Sequence, residues 1–189
     1  MECKMSIPLN RDKMIKRTVS GQYVDLLDPN PNSIRIRDIA TGLCNICRWG
    51  GQVDRDKFIS VAQHSVMCSF QVDDNEVAMG LLLHDAAEYL IGDLFHPLKA
   101  YFGIDALEDE ILKVIFTKYN VRFDDDMWEQ IKIVDRQGLI TEKRDILGST
   151  RVWEGYEDVI PWEQTITSWS SDFAYSTFLN RFQQLRRDL

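Results

Sequence analysis

Two of the three histidines in this chain, His64 and His84, stand in apolar surroundings, and His84 has a carboxylate directly beside it. The stretch "LLLHDAAEYLIGD" sets His84 against Asp85, places Glu88 four residues after the histidine and ends on Asp93. His64 lies in "FISVAQHSVMCSF", between Val61, Met67 and Cys68, and Asp135 lies in "IKIVDRQGLI". A bare carboxylate carried into a core costs several kcal/mol unless something pairs with it. A divalent cation is one partner that resolves this. His64, His84, Asp85 and Asp135 make a mixed nitrogen and oxygen set. Such a set suits zinc, cobalt, manganese or nickel better than magnesium alone. Four protein ligands leave two open positions on an octahedral ion, enough for a water and a substrate oxygen. Taken singly, a histidine on an apolar helix is more often a hydrogen-bonded core residue, and Asp135 alone is explained as well by a buried salt bridge. The common placement of all four on apolar backgrounds is what favours the metal.

These residues need elements to hold them. Ile36, Ile39, Ala40, Leu43 and Ile46 or Cys47 recur at spacings of three and four, one face of a helix that Gly50 and Gly51 are expected to end. A second helix is predicted over residues 60–72 with Ser60 as its N-cap. A third runs over 75–91, capped by Asp74 or Asn75 and stopped near Gly92. It is apolar around most of its circumference, the pattern of a buried helix. "HPLK", residues 96–99, reads as a turn in which His96 is an ordinary turn residue. Further helices are predicted from Asp105, over 124–147, and in "SSDFAYSTFLNRFQQLRR", whose basic end suits a helix C-terminus. Residues 25–34 are turn-rich, and the stretch "GSTRVWEGYEDVIPWEQ" is irregular. Strand signals are weak. The expected class is all-α, a compact single-domain helical bundle, with residues 1–24 as an N-terminal extension and 25–189 as the domain.

The 189 residues suit one domain with a sizeable core. Net charge is −8, whereas a duplex-binding protein usually presents a basic surface, so polymeric nucleic acid is a poor partner. Small anions remain candidates, since one cation and a few basic side chains make a local site on an acidic protein. No apolar run is long enough to span a membrane, and no apolar stretch follows the basic lead, so neither a membrane partner nor a signal peptide is expected. Cys44 and Cys47 form a lone C-x-x-C, and Cys3 and Cys68 complete the set. With no second pair a zinc knuckle is not expected. A redox motif is the lesser reading beside reduced, mostly buried thiols in a cytoplasmic protein.

The pattern His64, then His84-Asp85, then Asp135 resembles the metal signature of the HD-domain phosphohydrolases. "HDAAEYLIGDLFHPLK" is similar to the centre of one branch, the small helical bacterial deoxynucleoside 5′-monophosphatases and viral dATP triphosphohydrolases. Arg48-Trp49 matches the Arg-Trp pair before that branch's first histidine. Glu88, Asp93 and Lys99 match the acidic and basic positions after its HD pair. The resemblance runs from about Asp25 to Asp135, and the long N-terminal lead looks more like viral and phage members. It implies metal-assisted hydrolysis of a deoxynucleotide phosphate ester. Glu88 would shuttle a proton or support a ligand, and Asp93 would orient water or cap a turn. Arg48 and Lys99 would bind phosphate, and Trp49 would wall off the sugar or simply pack. A dNTP triphosphohydrolase, releasing deoxynucleoside and triphosphate and carrying extra magnesium with the phosphates, is the first expectation. A deoxynucleoside 5′-monophosphatase is the second, and a non-catalytic nucleotide-binding module the third. The expected partners are a small deoxynucleotide and further copies of the chain as a homo-oligomer.

Overall fold

The computed structural model describes residues 13–188. Cys3 and most of the basic N-terminal lead therefore lie outside the described residues. The described residues open with an antiparallel hairpin, β1 (Ile15–Arg17) and β2 (Tyr23–Asp25), in which Lys16 faces Val24. Eight α-helices follow among the described residues: α1 (Ile36–Asn45), α2 (Val61–Ser69), α3 (Asn75–Leu83), α4 (Glu88–Ile91), α5 (His96–Phe102), α6 (Ile104–Tyr119), α7 (Asp125–Asp145) and α8 (Ser171–Asp188). The fold is all-α apart from the hairpin. α2 and α3 pack together at the centre, α8 lies across α1, α2 and α3, and α7 packs on α2 and α3. Ile39, Leu43, Ile59, Val66, Leu81, Leu82, Leu83, Phe116 and Phe178 are fully buried among them. No helix among the described residues is long and apolar enough to cross a membrane.

Side-chain caps set the starts of the site helices. Ser60 Oγ accepts from Gln63 N at 3.1 Å, Asp74 Oδ1 from Glu76 N and Val77 N at 2.8 and 3.1 Å, and Asp124 Oδ1 from Met127 N at 2.9 Å. Each satisfies a backbone donor that a helix start leaves without a partner.

The structure corrects four expectations. The helix predicted over 75–91 is broken at 84–87. The imidazole Nδ1 of His84 lies 2.7 Å from Leu81 O, the carbonyl that the Asp85 N–H would use in a continuous α-helix. The chain tightens there into three-residue spacing, with Ala86 N on Leu83 O and Glu88 N on Asp85 O. The first helix stops at Asn45, before the glycines, because residues 46–48 leave it to pair with 59–61: Arg48 N bonds Ile59 O and Val61 N bonds Ile46 O. α2 ends at Ser69, three residues short of the predicted 72. "HPLK" is the first half of α5, where Pro97 sits in the first turn and lacks only a donor the helix would not use, and Gly103 at φ 66° ends it.

Residues 13–24 are bonded to the bundle. Asp38, buried on α1, accepts from Thr18 Oγ1, Ser20 N and Ser20 Oγ at 2.7, 2.9 and 2.6 Å, and Lys16 Nζ donates to Leu90 O at 2.6 Å. The irregular segment 146–170 is pinned in the same manner. Arg144 donates to Trp162 O and Gln164 O, Asp145 accepts from Ile166 N, and Gln63 donates to Thr167 O. Cys44, Cys47 and Cys68 are free thiols, the first and last buried and Cys47 half-buried.

Candidate metal centre

α2, the α3–α4 break and α7 bring His64, His84, Asp85 and Asp135 to one point. One ligand atom each from His64, His84 and Asp135 lies within 4.8 Å of the others, a group that could hold a metal ion. Asp135 Oδ1 is 3.0 Å from His64 Nε2 and 3.6 Å from His84 Nε2. Asp85 reaches both imidazoles, 3.8 Å from His64 Nε2 and 3.3 Å from His84 Nε2. The tightened backbone at 84–87 is what lets neighbours 84 and 85 serve one centre.

Both rings are oriented from behind. His64 Nδ1 lies 2.6 Å from Glu142 Oε1, and His84 Nδ1 is held on Leu81 O. Each Nε2 therefore points inward, the arrangement in which a ligand histidine gives its second nitrogen to a carboxylate or carbonyl. His84 Nε2 is buried and, although 3.3 Å from Asp85 Oδ1, makes no hydrogen bond among the described residues, which fits a cation as its missing neighbour. His64 stands between Glu142 and Asp135, so positive charge is required there, as a proton or a metal. Burial and the Arg48 charge oppose protonation of His64, but Cys68, Glu142 and Asp135 outweigh them and hold it well above the usual histidine range. Burial likewise opposes protonation of His84, and Asp85 and Asp135 lift it. Burial also works against an ionised Asp135, yet the His64 hydrogen bond and the two imidazoles beside it bring it well below the usual carboxylate range.

The centre lies at the foot of a cleft of about 890 Å³, lined by Arg48, Trp49, His84, Asp85, Glu88, Asp93, Lys99 and Asp135 among others. All the predicted site residues except His64, which is buried beneath the floor, face this one space. Arg48 and Lys99 are already engaged. Arg48 Nε donates to Glu142 at 2.9 Å and its Nη1 to Asp85 at 3.3 Å. Lys99 Nζ bonds Glu88 at 3.2 Å and Glu108 at 2.8 Å. Glu88 is buried, with Oε1 on Lys99 and Oε2 unpartnered. Burial first, then the Asp85 and Asp93 charges, push its carboxyl well above the usual range, against Lys99. Asp93 is raised too, chiefly by burial. It follows Gly92, whose φ of 87° turns the chain out of α4. Trp49 has φ 62°, a left-handed conformation that a bulky residue rarely takes. Its ring lies against Trp153, centroids 5.7 Å apart.

No protein-family profile matches the chain. Over 114 residues, 56% of this chain and 58% of the relative, it is 37% identical to the uncharacterized protein RCAP_rcc00048 of Rhodobacter capsulatus. The chain thus spans little more than half of that protein's length. Over 172 residues, 89% of the chain and 94% of the relative, it is 35% identical to the uncharacterized protein YfdR of Escherichia coli. The chain belongs to the YfdR family. Neither relative's name carries an activity. The sequence reading did not single out Glu142, which anchors both His64 and Arg48. Its signal was the seven-residue step from Asp135, two turns along one face of α7, hidden in the charged string "TEKRD". Glu108, Trp153 and Tyr156 also line the cleft or its floor unannounced.

Proposed function

We propose that the chain is a metal-dependent phosphohydrolase of deoxynucleotides, with His64, His84, Asp85 and Asp135 holding a divalent transition-metal ion. The observation that carries the reading is the buried, unpartnered His84 Nε2 directed at the same point as His64 Nε2 and Asp135, at the foot of a ligand-sized cleft. The resemblance of these residues to the HD-domain pattern supports it. A bound ion would supply Lewis-acid charge toward a phosphoryl oxygen and a more acidic water. The chain's own residues do the rest. Glu142 and Leu81 O fix the two rings. Glu88, whose carboxyl is pushed upward by burial and by the Asp85 and Asp93 charges, presents Oε2 to the cleft and in its protonated form can give a proton to the leaving oxygen. Lys99 holds Glu88 through Oε1 and so leaves Oε2 free. Arg48 restrains Asp85 and can turn part of its planar fork to a phosphate oxygen.

Charge bears on the length of the phosphate chain. Carboxylates outnumber cations in the cleft lining, where the cations are Arg48, Lys99 and Lys132 and the first two are paired. This favours a deoxynucleoside 5′-monophosphate. A triphosphate would have to bring further cations, such as magnesium on its outer phosphates.

The test is chromatography of a panel of deoxynucleoside mono- and triphosphates incubated with protein that has been stripped by chelation and reloaded with zinc, cobalt, manganese or nickel. Hydrolysis should vanish on stripping and return on reloading, and Asp85→Ala should lose both metal and activity while staying helical. Full hydrolysis by protein shown to be metal-free by elemental analysis would sink the reading, and so would inertness toward every nucleotide at full metal loading.

A further inference from the structure

The cleft has an aromatic side that the reaction itself does not use. Trp153 and Tyr156 belong to the irregular segment 146–170, yet both line the cleft. Trp153 lies 5.7 Å from Trp49 and 6.2 Å from Tyr156, centroid to centroid, so the three rings form a connected series. They connect to the metal centre through Arg48, which touches Asp85 and is the sequence neighbour of Trp49, the ring that meets Trp153.

α7 holds this wall in place. Arg136 sets its guanidinium 4.5 Å from the Tyr156 ring centre and donates to Gly155 O, and Lys143 Nζ lies 5.3 Å from the Trp153 ring centre. Neither cation lines the cleft, so both bear on the rings from outside it. Arg136 and Lys143 each follow, by one residue, the two carboxylates α7 sends to His64, Asp135 and Glu142. One rigid helix therefore sets the spacing between metal centre and aromatic wall.

We infer that Trp153 and Tyr156 form a stacking subsite for a flat, neutral heterocycle, the nucleobase of the substrate. This rests on the proposed reading of the metal centre, because a phosphate there and a sugar beside Trp49 leave the base to fall on these rings. The chemistry of the wall singles out that occupant. An aromatic side chain accepts any base through the base's π face. A quaternary ammonium, the other common guest of aromatic walls, meets rings that already carry Arg136 and Lys143.

Calorimetric titration of the metal-loaded full chain with deoxyadenosine, thymidine, deoxyribose 5-phosphate and choline tests this without any hydrolysis. Both nucleosides should bind. Trp153→Ala should weaken them about tenfold, the size of one lost base–aromatic stack, Trp153→Phe should restore most of the affinity, and deoxyribose 5-phosphate should bind the wild type and both variants alike. Far-ultraviolet circular dichroism checks that the variants stay folded. The subsite is overturned if neither nucleoside binds the wild type, if Trp153→Ala and Tyr156→Ala both bind them as the wild type does, or if choline alone depends on Trp153. Nucleoside binding in a protein that hydrolyses no nucleotide would leave the subsite standing and remove the phosphohydrolase reading.

Discussion

At the scale of single residues, the division of labour between Glu88 and its neighbours is open to measurement. Glu88 is assigned to proton transfer, with Oε2 free and Oε1 tied to Lys99. Glu88→Gln keeps the shape and removes the proton, so metal content should hold while kcat on the best nucleotide falls by about 10² or more. Unchanged kcat with lost metal would make Glu88 a support for the ligands instead. Trp49 follows from its place between Arg48 and Trp153. Its ring would crowd a 2′-hydroxyl, so deoxyribonucleotides should be preferred, and Trp49→Ala should narrow the preference through a gain on ribonucleotides. Equal loss on both sugars would mean that the ring only packs. Much of this site was legible in the sequence, since four candidate ligands and Glu88 occupy apolar stretches where a charge needs a reason. Glu142 was not, because a single sequence shows neither which face of α7 is buried nor that Arg48, 94 positions earlier, would share its carboxylate with His64.

At the scale of elements, the weak link is the four-residue α4 that carries Glu88. It lies against α1 where Gly42 has no side chain: a Cβ there would stand 2.6 Å from Tyr89 Cβ and 3.0 Å from its Cα. Gly42→Ala would gain roughly 1 kcal/mol of helix propensity but must push backbone aside, and overpacking of that kind costs about 1–3 kcal/mol. A net loss is expected, read as a Tm lowered by a few degrees in a chain of this length, and a raised Tm would show the contact to be loose. The far end of α7 makes a pH-dependent contribution. The Arg144 hydrogen bond, which outweighs burial, holds Asp145 below its ordinary carboxylate value, and Ile166 N adds to it. A depressed folded-state pKa stabilises above the unfolded value and is lost as pH falls through the folded one. Asp145→Asn should therefore lower Tm at neutral pH by a few degrees, about 1 kcal/mol of hydrogen bonding, and the gap to wild type should close on acidification below about 4. A gap independent of pH would assign the effect to packing. Helix periodicity and caps gave most elements their starts. The break at 84–87 escaped it because a histidine ring competing for Leu81 O leaves no trace in hydrophobic spacing.

At the scale of the whole molecule, the acidic composition and the acidic cleft agree, so on the proposed reading a phosphate would need a locally supplied cation. The class was legible because helical spacing recurs along the chain, whereas the fate of the irregular segment was not, since its order comes from bonds to α2 and α7 and not from any pattern of its own. The hairpin at residues 15–25 has a similar dependence on distant partners. Lys16 grips Leu90 O, two residues beyond Glu88, while Thr18 and Ser20 grip Asp38 on α1. Tension applied to the leading strand would reach the wall of the cleft through a handful of hydrogen bonds before it strained the core. The hairpin is thus a mechanical handle on the residue proposed for proton transfer, and a bulky fusion joined to it by a short rigid linker should be felt in turnover sooner than in thermal stability.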